Sequence, residues 1–418
     1  MSEKQGFVSG VSGKFLAGAL VCAALAVAAF GCWVYQQIGG LGITGMSNAT
    51  SWGLYIAAFM FCVGLSAGGL IVASSAHVFK IERFKPVALP AVICSTVCIC
   101  LAGCFVLIDL GGISRVWNMF VSLNLASPLA WNMCVIVCYL VINVLDMVWM
   151  VKGEEHKVEV LSRVALPVAI LVHSVTAWIF GLEIAREGWH SAIMAPIFVA
   201  SAMDSGLALL LIGLASLEKG KVFRTSPALF SSLAGLLCVC IAVDAYLIGC
   251  ELLTMAYPGT QEGNAILAEM LTGSTAPFFW FEIVGGLALP FMMLVFSRNR
   301  KRRALVIGAS VLVVCGVFCK RVWLLFTSFV HPNVYGGNGI TLGTKAAQQG
   351  GEGMWSMLGS YAPTPFEVII VIGVAALGVL AFMVLCKALL PKWQSGCTQG
   401  EANDVASVVS ECDGAQAE

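Results

Sequence analysis

The sequence predicts an all-α integral membrane protein with about ten transmembrane helices, and three observations support this fold class. First, 59% of the 418 residues are hydrophobic and 11% are charged, a composition that a soluble globular chain of this length does not have. Second, the hydrophobic residues form ten runs, each about 20 residues long, which is enough to cross roughly 30 Å of hydrocarbon. Third, most basic residues lie in alternate connections between these runs.

The predicted spans follow one another without a soluble domain or an internal repeat between them. Each run is apolar on every face, whereas transmembrane strands alternate apolar and polar residues over about ten positions, so helices are expected. The spans cover residues 15–35, 52–78, 87–110, 132–151, 164–183, 196–217, 228–253, 276–296, 304–326 and 366–390.

The first span is predicted to stay in the chain as a membrane helix. It is too long for the core of a signal peptide, and no convincing small-residue cleavage site precedes the polar segment 36–51.

Lys and Arg are distributed unequally between the two ends of the predicted spans. Eighteen of the 23 lie at the termini or in the even-numbered connections, if Lys387 near the end of the last span is counted with the C-terminus, whereas the opposite connections hold only Arg115, Arg186 and Lys345. Because Lys and Arg in short loops stay on the cytoplasmic side, both termini are predicted to be cytoplasmic, in a protein of the cytoplasmic membrane. These termini are residues 1–14 and the polar, acidic segment 391–418, which is predicted to be disordered.

The connections on the opposite face are longer, rich in glycine and nearly uncharged. Long loops gathered on one face favour a docking surface for another protein. These connections are residues 36–51, 111–131, 254–274 and 327–365.

Four cysteines in the third span invite interpretation as a metal site. Cys94 and Cys98 share a helix face, as do Cys100 and Cys104, but the step from 98 to 100 turns by about 200°, so four thiolates cannot converge from one helix. Cysteine is also a small apolar core residue. We therefore expect structural cysteines and no metal site or iron–sulfur cluster in this chain.

Ionisable residues within the spans are more informative, because a charge at membrane depth is costly and is usually paired or functional. They allow two interpretations: interhelical salt bridges, with Lys320 or Arg321 opposite Asp244 or Glu282, or a proton path or ligand pocket that opens outward. The full set is Asp109, Asp146, His173, Glu183, Asp204, Asp244, Glu251, Glu282, Lys320 and Arg321.

Four segments resemble the NrfD/polysulfide reductase membrane-subunit family. They are ITGMSNATSWGLYIAAFMFCVGLSAGG (43–69), LIDLGGISRVWNMF (107–120), ASPLAWNMCVIVCYL (126–140) and VHSVTAWIFGLEIAREGWHSAIMAPIFVASAMDSGLAL (172–209). The first is similar to the family signature, in which a Trp-Gly pair opens a helix that continues into small residues. The resemblance is good over residues 42–217 and only compositional beyond them.

The resemblance implies a ten-helix domain over residues 15–390, with two four-helix bundles at its core. The bundles would cover about 52–183 and 196–326, and the first and last spans would flank them. The implied activity is that of a quinone-interacting anchor subunit that uses menaquinone and carries no metal or haem. The implied partners are a four-cluster ferredoxin-like iron–sulfur subunit and a molybdopterin catalytic subunit, and no nucleic acid is expected.

The resemblance also suggests where quinone binds, in the first bundle near the docking face. This implies a site made of Trp52, Tyr55, Ser66, Asp109, Arg115 and His173. The alternatives are aromatic-belt anchors for Trp52 and Tyr55, a loop-tying ion pair for Asp109 with Arg115, and a structural role for His173. Some family members have His or Asn in the signature helix where this chain has Ala57, Ala58, Ser66 and Ala67, so the direct quinone ligands stay open.

For the second bundle the sequence suggests a proton path, with the two basic residues holding the carboxylates ionised. Its members are Asp204, Asp244, Glu282, Lys320 and Arg321. Asp146 is the single deep acid on the cytoplasmic side.

Two other functions remain open. A transporter or channel would use the same buried charges as a substrate or ion site, although the chain lacks the duplicated half and matching broken helices typical of many transporters. A structural anchor would hold an external enzyme without contacting quinone.

Overall fold

A computed structural model describes residues 13–47, 50–184, 186–330 and 361–414. Ten helices within these ranges are long and apolar enough to cross a membrane, which confirms the predicted all-α membrane fold. In chain order they are α1 (Gly13–Gly39), α2 (Leu54–Val78), α3 (Ala88–Asp109), α4 (Pro128–Lys152), α5 (Glu155–Gly181), α6 (Met194–Lys219), α7 (Pro227–Ala256), α8 (Ala276–Val295), α9 (Arg303–Val330) and α10 (Pro365–Gly414).

The helices alternate in direction, so their connections lie at two ends of the protein. We call the end with connections 79–87, 153–154, 220–226 and 296–302 the basic face. The other end, with connections 40–53, 110–127, 182–193 and 257–275, is the long-loop face, and it carries the additional short helix Gln261–Thr272. Residues 1–12, 415–418 and most of the predicted loop 327–365, including Lys345, lie outside the described residues.

Two helices extend well beyond their predicted spans. Helix α5 begins at Glu155 rather than at residue 164, and its first turns are charged and include a Glu159–Arg163 ion pair at 2.7 Å. Such i,i+4 pairs support a helix outside the hydrocarbon, where hydropathy gives no signal. Helix α10 continues to Gly414, through most of the segment predicted to be disordered. A helix satisfies its backbone hydrogen bonds internally, so the low hydrophobicity that predicted disorder does not prevent one.

Helix α2 lies at the centre of the protein, with 89% of its apolar segment buried against 6% for α1. It packs against α3, α5, α6 and α9, while α6 also packs against α7 and α9. Helices α1 and α10 pack against each other, and α10 packs on α3. The grouping into two four-helix bundles stays a prediction.

Glycine allows the close approach of α2 and α6. A Cβ atom at Gly68 would lie 2.5 Å from Cα of Gly206, so neither helix has room for a side chain at this crossing. Small residues of this kind let membrane helices approach closely enough for backbone contact.

Helix α8 contains a π-helical stretch, Phe281–Ala288. Such stretches are uncommon and often occur at functional sites. Here the stretch carries Glu282, which is 1% exposed and points into the protein.

Candidate functional site

Three polar residues from three helices meet close to the long-loop face, and we call Tyr55, Gln36 and Asp109 the Tyr55 cluster. The Tyr55 hydroxyl, in the first turn of α2, donates to Oε1 of Gln36 in α1 at 2.6 Å. Nε2 of Gln36 donates to the carbonyl of Ile108 near the end of α3 at 3.1 Å. The Asp109 carboxylate lies near enough to interact electrostatically with Tyr55.

Asp109 is the least satisfied member of this cluster. Its Oδ1 atom is buried and has no hydrogen-bond partner among the described residues. A buried polar atom without a partner costs free energy, so this oxygen can accept a hydrogen bond from a ligand at little cost in existing contacts.

Trp52 belongs to a stack of aromatic rings beside this cluster. Its ring stacks on Trp189 at 5.9 Å and meets Phe180 edge-on at 5.7 Å. Trp189 is 4% exposed and its Nε1 donates to the carbonyl of Leu324 in α9 at 2.7 Å, while the Arg186 guanidinium lies 5.5 Å from the Trp189 ring centre. The stack therefore connects the start of α2 to α9, and Trp52 packs within the protein.

Ser66 is separated from the Tyr55 cluster by about three turns of α2. It follows Tyr55 by 11 residues, a rise of about 16 Å, and lies at mid-membrane depth. Its hydroxyl donates to the carbonyl of Ser95 at 2.8 Å, and the Tyr139 hydroxyl lies 3.2 Å away. Ser66 is therefore part of a separate buried polar group between α2, α3 and α4.

The polar face of α4 continues from Tyr139 toward the basic face. Asn143 and Asp146 follow at helical spacing and are fully buried. Both carboxylate oxygens of Asp146 and Oδ1 of Asn143 lack hydrogen-bond partners among the described residues. Asp146 is thus a deep acid on the side that the sequence indicates.

His173 bridges α5 and α2 through backbone carbonyls. Its Nδ1 lies 3.0 Å from the oxygen of Ala169 and its Nε2 lies 2.9 Å from the oxygen of Val63. A neutral imidazole carries one N–H and can donate to one of these carbonyls, whereas an imidazolium donates to both. With both ring nitrogens turned to the backbone, His173 does not reach the Tyr55 cluster.

Arg115 is exposed in a short turn after α3. It forms no ion pair with Asp109 in the described part of the chain, so the structure does not contain the loop-tying pair considered from the sequence.

The second predicted set contains a compact charged group, and we call Lys320, Asp244, Glu282 and Trp323 the Lys320 cluster. Lys320 Nζ lies 2.9 and 3.1 Å from the two carboxylate oxygens of Asp244 and 3.4 Å from Oε1 of Glu282. Trp323 Nε1 donates to the other Glu282 oxygen at 2.5 Å. Both acids and the lysine are at most 1% exposed, so one buried lysine contacts two buried carboxyl groups.

Asp204 lies close enough to interact electrostatically with Lys320 and Asp244. Both of its oxygens are buried without hydrogen-bond partners among the described residues. Asp204 therefore adds an unpaired carboxyl group to the edge of the Lys320 cluster.

Arg321, the next residue of α9, is fully buried. One Nη atom donates to Ser201 at 2.7 Å, and the guanidinium lies 4.0 Å from the ring centre of Phe198, a cation–π contact. The guanidinium of Arg321 lies next to Gly64 of α2. Two of its nitrogens, Nε and the second Nη, have no partner among the described residues.

A small cavity separates the Lys320 cluster from Glu251, nearer the long-loop face. Lys320, Trp323 and Glu251 line it, and its volume of about 20 Å³ has room for one water molecule. Oε2 of Glu251 accepts a hydrogen bond from Ser191 at 2.7 Å.

A buried acid at the start of α10, Glu367, is not among the residues predicted from the sequence. The Glu367 carboxylate is 0% exposed and accepts hydrogen bonds from the backbone N–H of Gly45, the backbone N–H of Thr364 and the Tyr361 hydroxyl, at 2.8, 2.8 and 2.6 Å. Burial, followed by the hydrogen bond to Glu367, raises the pKa of Tyr361 well above its usual value, so this hydroxyl stays protonated. The Thr-x-x-Glu spacing of a capping box was the available signal.

The cysteines of α3 face different surroundings. Cys94 and Cys98 are buried against Leu65, whereas Cys100 is exposed. No group of three potential metal ligands occurs among the described residues, and the absence of a metal or haem stays a prediction.

A sequence model of the family described as "Polysulphide reductase, NrfD" matches residues 42–333 of this chain. The chain belongs to the NrfD polysulphide reductase family. Every predicted site residue lies within the matched region, whereas Gln36 and Glu367 lie outside it, on the helices α1 and α10.

Individual NrfD relatives match over most of this chain. A putative dimethyl sulfoxide reductase membrane subunit from Halobacterium salinarum is 33% identical over 387 residues, 87% of this chain and 88% of the relative. An Hdr-like menaquinol oxidoreductase integral membrane subunit from Archaeoglobus fulgidus is 30% identical over 379 residues, 90% of this chain and 94% of the relative. A polysulfide reductase chain from Wolinella succinogenes is 23% identical over 303 residues, 67% of this chain and 94% of the relative.

Proposed function

We propose that this chain is the quinone-reactive membrane subunit of a respiratory oxidoreductase. It exchanges electrons between membrane menaquinone and an iron–sulfur subunit docked on its long-loop face. The observation that carries the proposal is the Tyr55 cluster of an NrfD-family chain, where a buried hydroxyl, an amide and an unpaired carboxylate oxygen meet at the depth of a quinone headgroup. The name of the Archaeoglobus fulgidus relative, a menaquinol oxidoreductase subunit, supports menaquinone as the substrate.

The residues of the Tyr55 cluster match the chemistry of a quinone. A quinone takes up two electrons and two protons to become a quinol, so its pocket needs hydrogen-bond partners for two oxygens and a group that exchanges protons. Asp109 Oδ1 accepts a hydrogen bond from a quinol hydroxyl and takes its proton during oxidation, and it returns the proton during reduction. Tyr55, held by Gln36, orients the ring. Both electrons pass to or from the iron–sulfur partner, and each proton leaves or enters at the long-loop face.

Docking on the long-loop face is supported by exposed apolar side chains in its connections. Trp117, Val121 and Leu125 are 71, 83 and 71% exposed in the connection that follows Asp109. Apolar residues at the core of an interface provide much of its stability. We propose a four-cluster ferredoxin-like subunit as the direct partner and a molybdopterin subunit as the catalytic unit beyond it. Relatives named as a dimethyl sulfoxide reductase membrane subunit and a polysulfide reductase chain support a multisubunit reductase.

The proposed orientation of the protein in the membrane is inferred from the distribution of its Lys and Arg residues. The basic face lies in the cytoplasm with both termini, and the long-loop face lies outside, in a protein of the cytoplasmic membrane. The docked partners are therefore exported proteins.

We propose proton movement as a second role, because the Lys320 cluster and Asp204 place four ionisable groups close together at membrane depth. Charged residues inside a membrane commonly form proton relays. The water-sized cavity toward Glu251 gives this group an approach from the long-loop face. Arg321 extends the positive charge of the set toward α2.

The test is a purification of the tagged protein in mild detergent, with co-purifying subunits identified and bound quinone extracted and quantified. The proposal expects an iron–sulfur partner and near-stoichiometric quinone. A chain that purifies alone, without quinone, and that binds no quinone analogue would favour the transporter or channel.

One substitution distinguishes the proposal of a quinone-reactive subunit from that of a purely structural anchor. Asp109→Asn keeps the shape of the side chain and removes the proton acceptor, so quinol oxidation should fall by about a hundredfold or more while the partner still co-purifies. Glu155→Gln, the same kind of change at an exposed position at the start of α5 on the basic face, is the matched control and should leave the rate unchanged. Equal rates for the two variants would support an anchor that does not contact quinone.

A further inference from the structure

Helices α1 and α10 form a groove with α3 that the family match leaves unexplained, because residues 42–333 include neither α1 nor α10. The groove has a volume of about 220 Å³. Its lining comes from all three helices and the turn after α3, and it includes Ala26, Phe30, Trp33, Leu107, Ile108 and Leu377.

The groove is apolar along its length and accessible from lipid. Phe30, Leu107 and Leu377 on its rim are 61, 36 and 42% exposed, and the lining contains no charged side chain. Its residues on α1 run from Ala26 to Trp33, about 10 Å along the helix axis. The groove is therefore a slot that reaches from the hydrocarbon region toward the long-loop face.

The end of the groove nearest the long-loop face is polar and unsatisfied. Trp33 lines the groove, and its Nε1 is buried without a hydrogen-bond partner among the described residues. One helical turn later, Nε2 of Gln37 is buried and equally unpaired, beside Gln36 of the Tyr55 cluster. Ile108, whose carbonyl accepts from Gln36, lines the same groove, so the groove and the cluster are continuous.

We propose that this groove binds the isoprenoid tail of the quinone and that Trp33 and Gln37 donate hydrogen bonds to its headgroup. This inference rests on the proposed function, and it places part of the quinone pocket on the flanking helices α1 and α10. Two unpaired N–H donors match the carbonyl oxygens of a quinone, and the unpaired Asp109 Oδ1 of the adjoining Tyr55 cluster matches the hydroxyl of a quinol.

An acyl chain of a phospholipid has the same apolar chemistry and is the competing occupant. Its phosphate would be expected to meet Lys or Arg, which bind phosphate through charge-assisted hydrogen bonds. The groove lining contains neither, whereas it ends at neutral donors. The polar end of the groove therefore favours a quinone over a phospholipid as its occupant.

The experiment compares two alanine-to-leucine substitutions in α1, each measured in the purified complex. Ala26→Leu fills the groove, whereas Ala28→Leu adds the same side chain to an exposed position two residues away, on the opposite side of the helix. Ala26→Leu should raise the KM for a long-tailed menaquinol about tenfold, equivalent to about 1.4 kcal/mol. It should leave the KM for a tail-less naphthoquinol unchanged, and Ala28→Leu should change neither value.

Two further variants test the donors. Trp33→Phe and Gln37→Leu each remove an N–H group while keeping most of the side-chain volume. Both should raise the KM about tenfold for the long-tailed and the tail-less substrate alike, because the headgroup is common to them.

The outcomes separate this inference from the function on which it rests. If wild-type protein oxidises menaquinol but Ala26→Leu behaves as Ala28→Leu and both donor variants are unaffected, the groove assignment is wrong and the proposed function stands. Loss of bound phospholipid from Ala26→Leu, with unchanged quinone content and KM, would assign the groove to a lipid. A wild-type complex without quinone activity would overturn the proposed function itself.

Discussion

The Tyr55 cluster and the Lys320 cluster are both buried polar groups in the membrane, yet they are satisfied in opposite ways. The Lys320 cluster is ionic, at most 1% exposed at its three charged members, and held by contacts of 2.9 to 3.4 Å. The Tyr55 cluster contains one carboxylate and neutral partners, and it leaves an acceptor unpaired beside a lipid-accessible groove. Ionic contacts hold the Lys320 cluster in place, whereas the unpaired Asp109 oxygen leaves room for an exchangeable ligand.

The largest effect is expected when the cation is removed from the Lys320 cluster. Lys320→Met leaves Asp244 and Glu282 without their cation, and breaking a buried ion pair costs about 3–5 kcal/mol. Thermal unfolding of the purified complex in detergent should occur at a markedly lower temperature than for the wild type. Lys387→Met, an exposed lysine of α10, is the control. Equal unfolding temperatures for the two variants would show that the cluster does not stabilise the fold.

A double variant sharpens this test. Adding Asp244→Asn to Lys320→Met removes one of the two uncompensated carboxylates, so it should recover part of the lost stability. If Asp244→Asn instead lowered the stability of Lys320→Met further, by as much as it lowers that of the wild type, the pairing of Lys320 with Asp244 would be contradicted.

An intermediate effect is expected in the Tyr55 cluster, and it should appear in substrate use. Tyr55→Phe removes the hydroxyl that holds Gln36, which should raise the KM for menaquinol about tenfold with little change in unfolding temperature. Tyr257→Phe is the matched control, since Tyr257 follows α7 near the same face and is 88% exposed. A large drop in unfolding temperature with an unchanged KM would make the Tyr55 cluster structural and remove the contrast between the two regions.

The smallest effect on stability is expected at the unpaired acid beside the Lys320 cluster. Asp204→Asn removes no hydrogen bond among the described residues, so the free energy of unfolding should change by less than about 1 kcal/mol. Proton uptake measured in vesicles during quinone turnover should nevertheless fall if Asp204 lies on a proton path. Unchanged proton uptake would exclude Asp204 from that role.

The sequence predicted the fold well because a membrane span depends on length and hydropathy, both of which are local. The ion pairs could also be inferred from the sequence, because few acidic partners are available to a buried lysine. Lys320 lies between Asp244 and Glu282. Boundaries were less predictable: the run at 15–35 excluded Gln36, which is buried within α1.

The structure brings only some of the predicted site residues together, because residues of one sequence motif can lie at different depths in the membrane. Tyr55 and Asp109 meet because one begins a helix and the other ends its neighbour at the same face. Ser66 and His173 lie deeper and bond to other groups, and Arg115 is turned to the surface. The contribution of Gln36 depends on how α1 packs, which hydropathy does not report.

The buried Glu367 has a consequence for the order in which the protein is completed. Its carboxylate holds the backbone N–H of Gly45 in the connection between α1 and α2, and Tyr361 holds the backbone N–H of Leu54, the residue before Tyr55. These anchors belong to a part of the protein that the ribosome makes long after α1 and α2. The entrance to α2 is therefore fixed only once the tenth helix has inserted, so a chain truncated before α10 would lack the contacts that hold the start of α2 in place.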